Sequence, residues 1–337
     1  MVLYLIGLGL ADEKDISLRG LEAVRSSVRV YLEAYTSILL APTEALEALY
    51  GVPVTLAHRE TVELEADAIL RDARTHNVSF CVVGDPLSAT THTDLVLRAR
   101  AAGVPVRIIH NASIMTALAS SGLQAYNFGQ TVSVPFWSEH WRPDSWLPRI
   151  AENVQHGMHT LVLGDIKVRE QSEADMARGV LRYQKPRYML VPQLVEQLLA
   201  ASASHFASGS TTLPGPACVL DADRTLAVAL CRMGTDEEGI YSGTLGELLA
   251  LAQATPEEAA RDEAEDDADE MASETELEAR RAARAEERAK KAFGGPLHSL
   301  VLVGARIHGL EAKYAGMFQV KGSRWDEVAR DVYGCRE

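Results

Sequence analysis

The stretch Val78 to Leu95 constrains this chain more than any other. Its first half, Val78 to Val83, is a short apolar run of β-branched and aromatic type that stops at Gly84, as suits a strand buried on both faces of a parallel sheet. Its second half is a polar turn. Gly84 permits a tight bend, Pro86 stiffens it, and Ser88 to Asp94 supply hydroxyls, an imidazole and a carboxylate before helix resumes at Leu95. A loop at the carboxyl end of a parallel strand is where open α/β sheets hold ligands. The same residues also suit an ordinary strand-to-helix connection with Thr91 or Thr93 as the helix cap.

Upstream, Val2 to Ile6 predicts a strand, Gly7-Leu8-Gly9 a turn, Ser17 to Ser26 a helix with Leu18, Leu21 and Val24 on one face, and Val28 to Leu32 a second strand. The glycine turn, with Glu33 at the end of the second strand, mimics a dinucleotide-binding fingerprint and its ribose-binding acid. The match fails at the third glycine. That position is Asp12, followed by Glu13 and Asp15, and carboxylates are poor neighbours for a pyrophosphate at a helix N-terminus. These glycines suit a ligand whose neutral or cationic part lies against the backbone. Thr43 to Leu49, Val52 to Leu56, Leu64 to Thr75, Val78 to Val83, Leu95 to Ala102 and Val104 to Ile109 continue an alternation of helix and strand, the pattern of a doubly wound sheet. A first α/β domain over residues 1–112 follows. Ser113 then stands at an expected N-cap, with helix Ile114 to Ser120 ending at Gly122.

From Thr131 the pattern becomes that of a mixed sheet. Thr131 to Val134, His159 to Gly164, Ala217 to Leu220, Leu226 to Cys231 and Ser299 to Val303 read as strands, and Ser172 to Tyr183, Leu190 to Ser202 and Leu245 to Ala252 as helices. This defines a second α/β domain over 113–337. Pro135 to Trp146 gathers three of the four tryptophans in one turn-rich segment, which suits either an interface or a corner of the core. Ten histidines show no metal-ligand spacing. His92 and His298 each sit in a loop beside a strand, where a lone histidine is ordinarily a hydrogen-bonding surface residue. With no nucleophile elbow and no kinase-like set, the chain offers no nucleophile of its own and no metal site.

Composition narrows the partners. A formal net charge of -14 excludes a duplex or single strand as the main ligand, so no direct nucleic-acid binding is expected. Four cysteines, Cys81, Cys218, Cys231 and Cys335, lack any CxxC pair and point to a reducing, cytoplasmic setting. Val2 to Leu10 runs into Asp12, Glu13 and Asp15 with no basic segment before it, which reads as a first strand and no signal peptide. No apolar run approaches the roughly 20 residues that span a bilayer, so no membrane association is expected.

Residues 253–295 differ in kind. Fourteen acidic residues stand against seven basic ones, with the acids concentrated at Glu257 to Glu270 and the bases from Arg280 to Lys291. The segment offers almost no apolar stripe, so a solvated or fraying helix, or disorder, is expected of this charged, low-complexity insert.

Several motifs in order carry a family resemblance. Leu3 to Ser17 (LYLIGLGLADEKDIS), Tyr31 to Ser37 (YLEAYTS), Val82 to Ala99 (VVGDPLSATTHTDLVLRA), His110 to Met115 (HNASIM), Asn153 to Gln171 (NVQHGMHTLVLGDIKVREQ), Pro186 to Met189 (PRYM) and Pro296 to Leu300 (PLHSL) resemble the diphthine synthase, or diphthine methyl ester synthase, family of the tetrapyrrole methylase superfamily. His110 to Ile114, Phe136-Trp137 and Trp141 to Trp146 resemble its eukaryotic branch. The resemblance covers the chain outside 253–295.

The resemblance implies two α/β domains that enclose S-adenosylmethionine in the cleft between them, and a methyltransferase of diphthamide biosynthesis. Its substrate would be elongation factor 2, at a histidine already carrying a 3-amino-3-carboxypropyl group, and its product diphthine methyl ester, with four methyl groups added. A homodimer is compatible with it. Cofactor contacts are implied at Leu10, Asp85, Ser88, Ser113, Ile114, Gly164, Met233 and His298, with Asp85 and nearby backbone on polar parts of the cofactor and Ile114 and Met233 under the adenine. Two positions depart from the family pattern: Ser88 stands where many relatives have glycine, and Gly164 where leucine is usual. Two other readings are open to the same residues. A tetrapyrrole methylase of the superfamily would bind a corrinoid or give a coloured product, and a non-catalytic partner-binding module would not bind S-adenosylmethionine.

Overall fold

The computed structural model describes residues 1–39, 41–63, 66–171, 175–176, 178–207, 220–269 and 272–335. Its first sheet forms from β1 (Leu3–Gly7), β2 (Arg29–Glu33), β3 (Val54–Ala57), β4 (Val78–Val82) and β5 (Val106–Ile109), in the order β3-β2-β4-β1-β5 with every pair parallel. The expected buried central strand is β4, all five of whose residues are buried. Its Ser79 hydroxyl meets Ser27 Oγ at 2.8 Å, so the polar atom inside the sheet is not left unpaired. The helices between are α1 (Leu18–Arg25), α2 (Thr43–Tyr50), α3 (Arg59–Glu63), α4 (Ala66–Ala73), α5 (Thr93–Ala101) and the short α6 (Ile114–Ala117). Ser17 caps α1 by accepting from Gly20 N–H at 3.1 Å. Neither Thr91 nor Thr93 caps α5. Its N-cap is His92, which makes no capping bond because its ring is engaged elsewhere.

A second, mixed sheet contains β6 (Val132–Val134), β7 (Thr160–Gly164), β8 (Leu226–Cys231), β9 (Gly239–Thr244) and β10 (His298–Leu302), ordered β9-β8-β10-β7-β6. Only the β6–β7 pair among these is parallel. β9 was not among the expected strands; a six-residue pairing with β8 forms it despite its two glycines. Packed with this sheet's core are α7 (Leu147–Gln155), α8 (Val191–Ala207) and α9 (Leu245–Ala250).

The expected helix from Ser172 to Tyr183 is corrected where residues are described. Gly179 turns the chain at φ +65° and Tyr183 bridges back to Gln171. Leu64 and Glu65 of one expected helix, Ser172 to Ala174 of another, most of the expected strand at 217–220 and Cys218 lie outside the described residues. The tryptophan segment combines both of its readings. Trp137 and Trp146 each donate Nε1–H to Pro143 O, at 3.0 and 3.1 Å, and Trp146 is buried, whereas Trp141 is 55% exposed. Among the described residues, no helix is long and apolar enough to cross a membrane.

The chain forms two compact units, each discontinuous in sequence. One comprises Met1–Ala117, Ile166–Arg187 and Arg232–Asp236; the other Leu118–Asp165, Tyr188–Cys231 and Glu237–Glu337. A single cut after residue 112 would assign both 166–187 and 232–236 to the second half.

The charged insert is better built than its composition suggests. It forms α10 (Pro256–Ala268) and α11 (Glu274–Phe293), each opened by a capping box, Thr255 with Glu258 and Ser273 with Glu276. Segregation of sign makes each helix the counter-charge of the other. Asp266 accepts from Arg281 and Arg284, both at 2.9 Å, Asp262 from Arg288 at 2.9 Å, and Asp269 from Arg280 at 2.6 Å. The expectation of a solvated or fraying segment with almost no apolar stripe is corrected by its last turn. Ala289 and Phe293 enter the second unit's core, with Phe293 wholly buried and edge-on to Tyr241 at 5.1 Å.

Two deletions therefore differ in outcome. Phe293→Ala is expected to cost about 3–5 kcal/mol, the range for truncating a buried aromatic side chain. Replacing residues 257–286 by a short Gly/Ser link, which spares Ala289 and Phe293, leaves the urea midpoint nearly unchanged, since the paired charges around Asp262 and Asp266, other than Arg288, leave together and closure depends weakly on length. Urea titrations of the two variants beside the parent chain check both statements.

Candidate active site

In the first unit β1 and β4 lie side by side, but their chains depart in opposite directions. From β1 the chain crosses to β2 on one side, and from β4 it crosses to β5 on the other. Such a divergence opens a crevice at the carboxyl ends of the two strands. The turns that border it are joined directly: Gly84 N–H donates to Gly9 O at 2.7 Å and Gly9 N–H to Gly84 O at 3.2 Å. Both glycines have positive φ, +82° for Gly9 and +74° for Gly84, which few side-chain-bearing residues adopt. Gly7 is glycine for a different reason. A Cβ there would stand 2.6 Å from Gly84 O and 2.7 Å from Asn111 Cβ.

Asp85 organises the loop beyond β4. Its side chain is buried, Oδ1 accepts from Leu87 N–H at 3.0 Å and Ser88 Oγ–H at 3.3 Å, and Oδ2 from His110 Nδ1–H at 2.7 Å and Asn111 N–H at 3.2 Å. Burial pushes this carboxyl up, but the bonds from Leu87, His110 and Asn111 outweigh it and hold it below the usual carboxylate range. Four donors engage the carboxylate, so it works by shaping the loop and leaves the backbone to face a ligand. Ser88 takes part in the same arrangement. Further along, His92 is wholly buried and donates Nδ1–H to Pro86 O at 3.1 Å, with its ring edge-on to Phe80 at 5.2 Å. Burial keeps its imidazole below the usual range, and therefore neutral. The expectation of a surface histidine is thus corrected, because the ring is a strut beneath the loop.

The acid that breaks the dinucleotide match and the one that mimics its ribose-binding residue are both engaged by the chain itself. Asp15 Oδ2 accepts from Leu10 N–H at 3.0 Å and Ala11 N–H at 2.8 Å, filling with its own charge the place where a phosphate would bind. Glu33 is 1% exposed and accepts from Tyr35 N–H at 2.9 Å and from Thr36 N–H and Thr36 Oγ1–H. Burial raises its pKa despite those bonds.

Five of the residues implied by resemblance gather around this crevice. Leu10 follows the Gly9 turn, and a Cβ on Gly234 would meet Leu10 Cβ at 3.0 Å, so the Arg232–Asp236 loop that carries buried Met233 lies against it. Ser113 is buried, with its Cβ 3.5 Å from where a Cβ on Gly84 would be. Its carbonyl, not its hydroxyl, opens α6 by accepting from Thr116 and Ala117 N–H, both at 2.9 Å. Asp85 and Ser88 complete the five. Ile114 follows Ser113 as the first residue of α6 and is half-buried. Gly164 and His298 belong to the second unit. Leu163 pairs with Ser299, so the residues one step outward, Gly164 and His298, share one end of that sheet. A Cβ on Gly164 would lie 3.0 Å from Met189 Cβ, so the place of the expected leucine is filled by Met189 and no hollow remains. His298 Nδ1 accepts from Val191 N–H at 3.2 Å and Nε2–H donates to Gly295 O at 2.9 Å, so its ring too is a buried strut and not a surface group.

The organising roles of three residues were not read from the sequence. Asp15 fills the backbone nest, His110 clamps Asp85, and Asn111 donates Nδ2–H to Gly7 O at 3.0 Å and Asp15 O at 2.9 Å. The polar pair His110-Asn111 directly after β5, level with the loops after β1 and β4, was the signal that could have found two of them.

Residues 2–249 match the profile of the Tetrapyrrole (Corrin/Porphyrin) Methylases. The diphthine methyl ester synthase of Gibberella zeae is 45% identical over 333 residues, 99% of each chain, and that of Homo sapiens 44% identical over 319 residues, 95% of each chain. This chain belongs to the diphthine methyl ester synthase family. Among solved structures, a crystal structure described as a diphthine synthase is 28% identical, covers 95% of this chain and 96% of its own, and superposes with a TM-score of 0.68. Another from Entamoeba histolytica, provisionally described as a diphthine synthase, is 38% identical over 95% of this chain and 99% of its own, with a TM-score of 0.69.

In this diphthine methyl ester synthase family member, the depressed pKa of Asp85 links site order to pH. A folded-state value below the unfolded one stabilises the fold above the unfolded value, and that contribution fades as pH falls through the folded value. Asp85→Ala is expected to be less stable than the parent at pH 7, with the difference narrowing as pH falls through and below the ordinary aspartate range of about 4. Denaturant melts of both chains across that range measure it, and a gap independent of pH would deny Asp85 this role.

Proposed function

We propose that this chain is an S-adenosylmethionine-dependent methyltransferase that forms diphthine methyl ester on elongation factor 2, in the cytoplasm. The observation that carries the reading is near-identical length with 44–45% identity to proteins named diphthine methyl ester synthase in fungi and in Homo sapiens. The acceptor is the amino-carboxypropyl group already attached to a histidine of the factor.

The residues fit the proposed cofactor. S-adenosylmethionine carries no phosphate, and the backbone nest after β1 is already filled by Asp15. Glycine at 7, 9 and 84 lets main chain form the floor of the crevice, while Leu10, Ile114 and Met233 supply apolar walls. When bound, S-adenosylmethionine supplies an electrophilic methyl carbon for in-line displacement by an amine or a carboxylate. The chain's own task is then to hold the acceptor and exclude water, since positioning alone can supply much of a displacement rate. Asp85 does this by fixing the loop from Gly84 to Ser88, with its carboxylate kept charged and fully bonded. No side chain is needed as a nucleophile.

Mass spectrometry of elongation factor 2 after incubation with this protein and S-adenosylmethionine tests the reading. Factor carrying the amino-carboxypropyl group should gain successive methyl increments, up to about four by the family resemblance, and unmodified factor none. The contrast is geometric, because only an extended side chain brings an amine into a crevice while the factor's body stays outside. Equal methylation of both factors, or of neither, would sink it.

A further inference from the structure

One histidine at the crevice is held by a single ring nitrogen. His110 directly follows β5, and its Nδ1 lies 2.7 Å from Asp85 Oδ2 in the loop after β4. Because β1 stands between β4 and β5 in the sheet, this contact passes across the end of β1, where the crevice opens. The two side chains differ in exposure: that of Asp85 is 7% accessible and that of His110 68%. Asp85 is also the only carboxylate within ion-pair distance of this ring among the described residues. The backbone that carries the ring is fixed as well, since the next residue, Asn111, gives its N–H to Asp85 Oδ2 at 3.2 Å and its Nδ2–H groups to Gly7 O and Asp15 O.

The arrangement decides which nitrogen can react. A carboxylate only accepts, so the proton of the neutral ring belongs on Nδ1 and the lone pair on Nε2. Nε2 makes no hydrogen bond among the described residues, and it lies on the side of an exposed ring that points away from Asp85. A buried carboxylate behind one nitrogen keeps the imidazole in place and stabilises the imidazolium that forms when the other nitrogen takes a proton. His92, beneath the same loop, has no such freedom. It is wholly buried, its Nδ1–H is given to Pro86 O at 3.1 Å, and its Nε2 stands 3.5 Å from Tyr35 OH.

We propose that His110 is the general base that takes the proton from the acceptor amine. The inference rests on the methyltransferase reading above and adds to it the group that readies the nucleophile. In neutral water an alkyl amine is mostly ammonium, which has no lone pair to offer. His110 Nε2 removes one proton, and the freed nitrogen pair forms the bond to the methyl carbon while the carbon–sulfur bond breaks with its own pair left on sulfur as a neutral thioether. The imidazolium then returns its proton to water through its exposed face. Each methylation of nitrogen releases one proton by this route, and a carboxylate acceptor, which already carries its pair, needs no base.

The test uses the full chain, His110→Asn and factor carrying the amino-carboxypropyl group. Asparagine keeps a side-chain N–H near the place of Nδ1, and with it the bond to Asp85, but has no basic nitrogen beyond. At saturating S-adenosylmethionine and factor, His110→Asn should lower the rate of alkali-stable methyl increments, those on nitrogen, roughly 100-fold near neutral pH, within the range for a lost general base. The deficit should shrink as pH rises toward about 9, because the amine then sheds its proton unaided. A second measurement needs no turnover: in the chain without cofactor, proton–nitrogen correlation spectra should show the neutral His110 ring as the Nδ1–H tautomer, its signals assigned by their loss in His110→Asn. An unchanged rate, a deficit that is the same across the pH range, or the Nε2–H tautomer overturns the proposal. A parent chain that adds no methyl group to the modified factor overturns the functional reading and this inference together, whereas a parent that turns over normally beside an unaffected His110→Asn overturns this inference alone.

Discussion

The reciprocal hydrogen bonds between Gly9 and Gly84 tie together the turns beyond two adjacent strands whose chains then part. Much else in the first unit depends on that closure. It demands positive φ at both residues, and it brings main chain so near at Gly7 that a single methyl group would strike Gly84 O. With the turns joined, Asp85 is held where it can bond the loop after β4 on one side and His110 and Asn111, after β5, on the other. Three loops from three neighbouring strands thereby become one body. A buried carboxylate is costly unless fully bonded, so each of the four donors around Asp85 is a condition on the others.

The same unit shows how an acidic chain selects against phosphate. Backbone N–H groups at the first turn are available by geometry to any anion, but Asp15 engages two of them from within. Glu33, at the position of a ribose-binding acid, spends its lone pairs on Tyr35 and Thr36. A fingerprint that looks nearly complete as a string of letters is therefore closed as a site. What remains is a floor of main chain with apolar neighbours, suited to a ligand recognised by shape.

Much of this was legible beforehand, and for physical reasons. A strand buried on both faces writes itself as a continuous apolar run, so Val78 to Val83 announced β4, and the polar turn behind it announced the loop. Leu226 to Cys231 was legible in the same way. The strand Gly239–Thr244 was not, because its stability comes from pairing across to β8 and its glycines carry no local signal. Burial of a side chain that contacts main chain is also invisible in sequence. His92 and His298 read as surface residues because nothing in the residue pattern reveals that one ring is folded under its own loop onto Pro86 O and the other is bonded to Val191 from a distant helix. Asp85 stood out in the sequence as the acid after the central strand, but nothing local showed that both of its oxygens are engaged within the chain.

The charged insert shows where composition misleads. Ala, Glu, Asp and Arg supply no core, and ion pairs on an exposed hairpin contribute little, so the tip from Glu257 onward is free to vary in sequence at small cost. The base is not. Phe293 packs against Tyr241 and, at 6.2 Å, against His298, and two residues later Gly295 O accepts the Nε2–H of that same histidine. His298 starts β10 and bonds Val191 at the head of α8. The last turn of α11 and the glycines after it thus meet β9 and β10 through two aromatic contacts and one hydrogen bond. Because both buried apolar residues lie in that closing turn, ordering it alone suffices to fill their places in the core, and the charged stretch before it adds little to the anchoring.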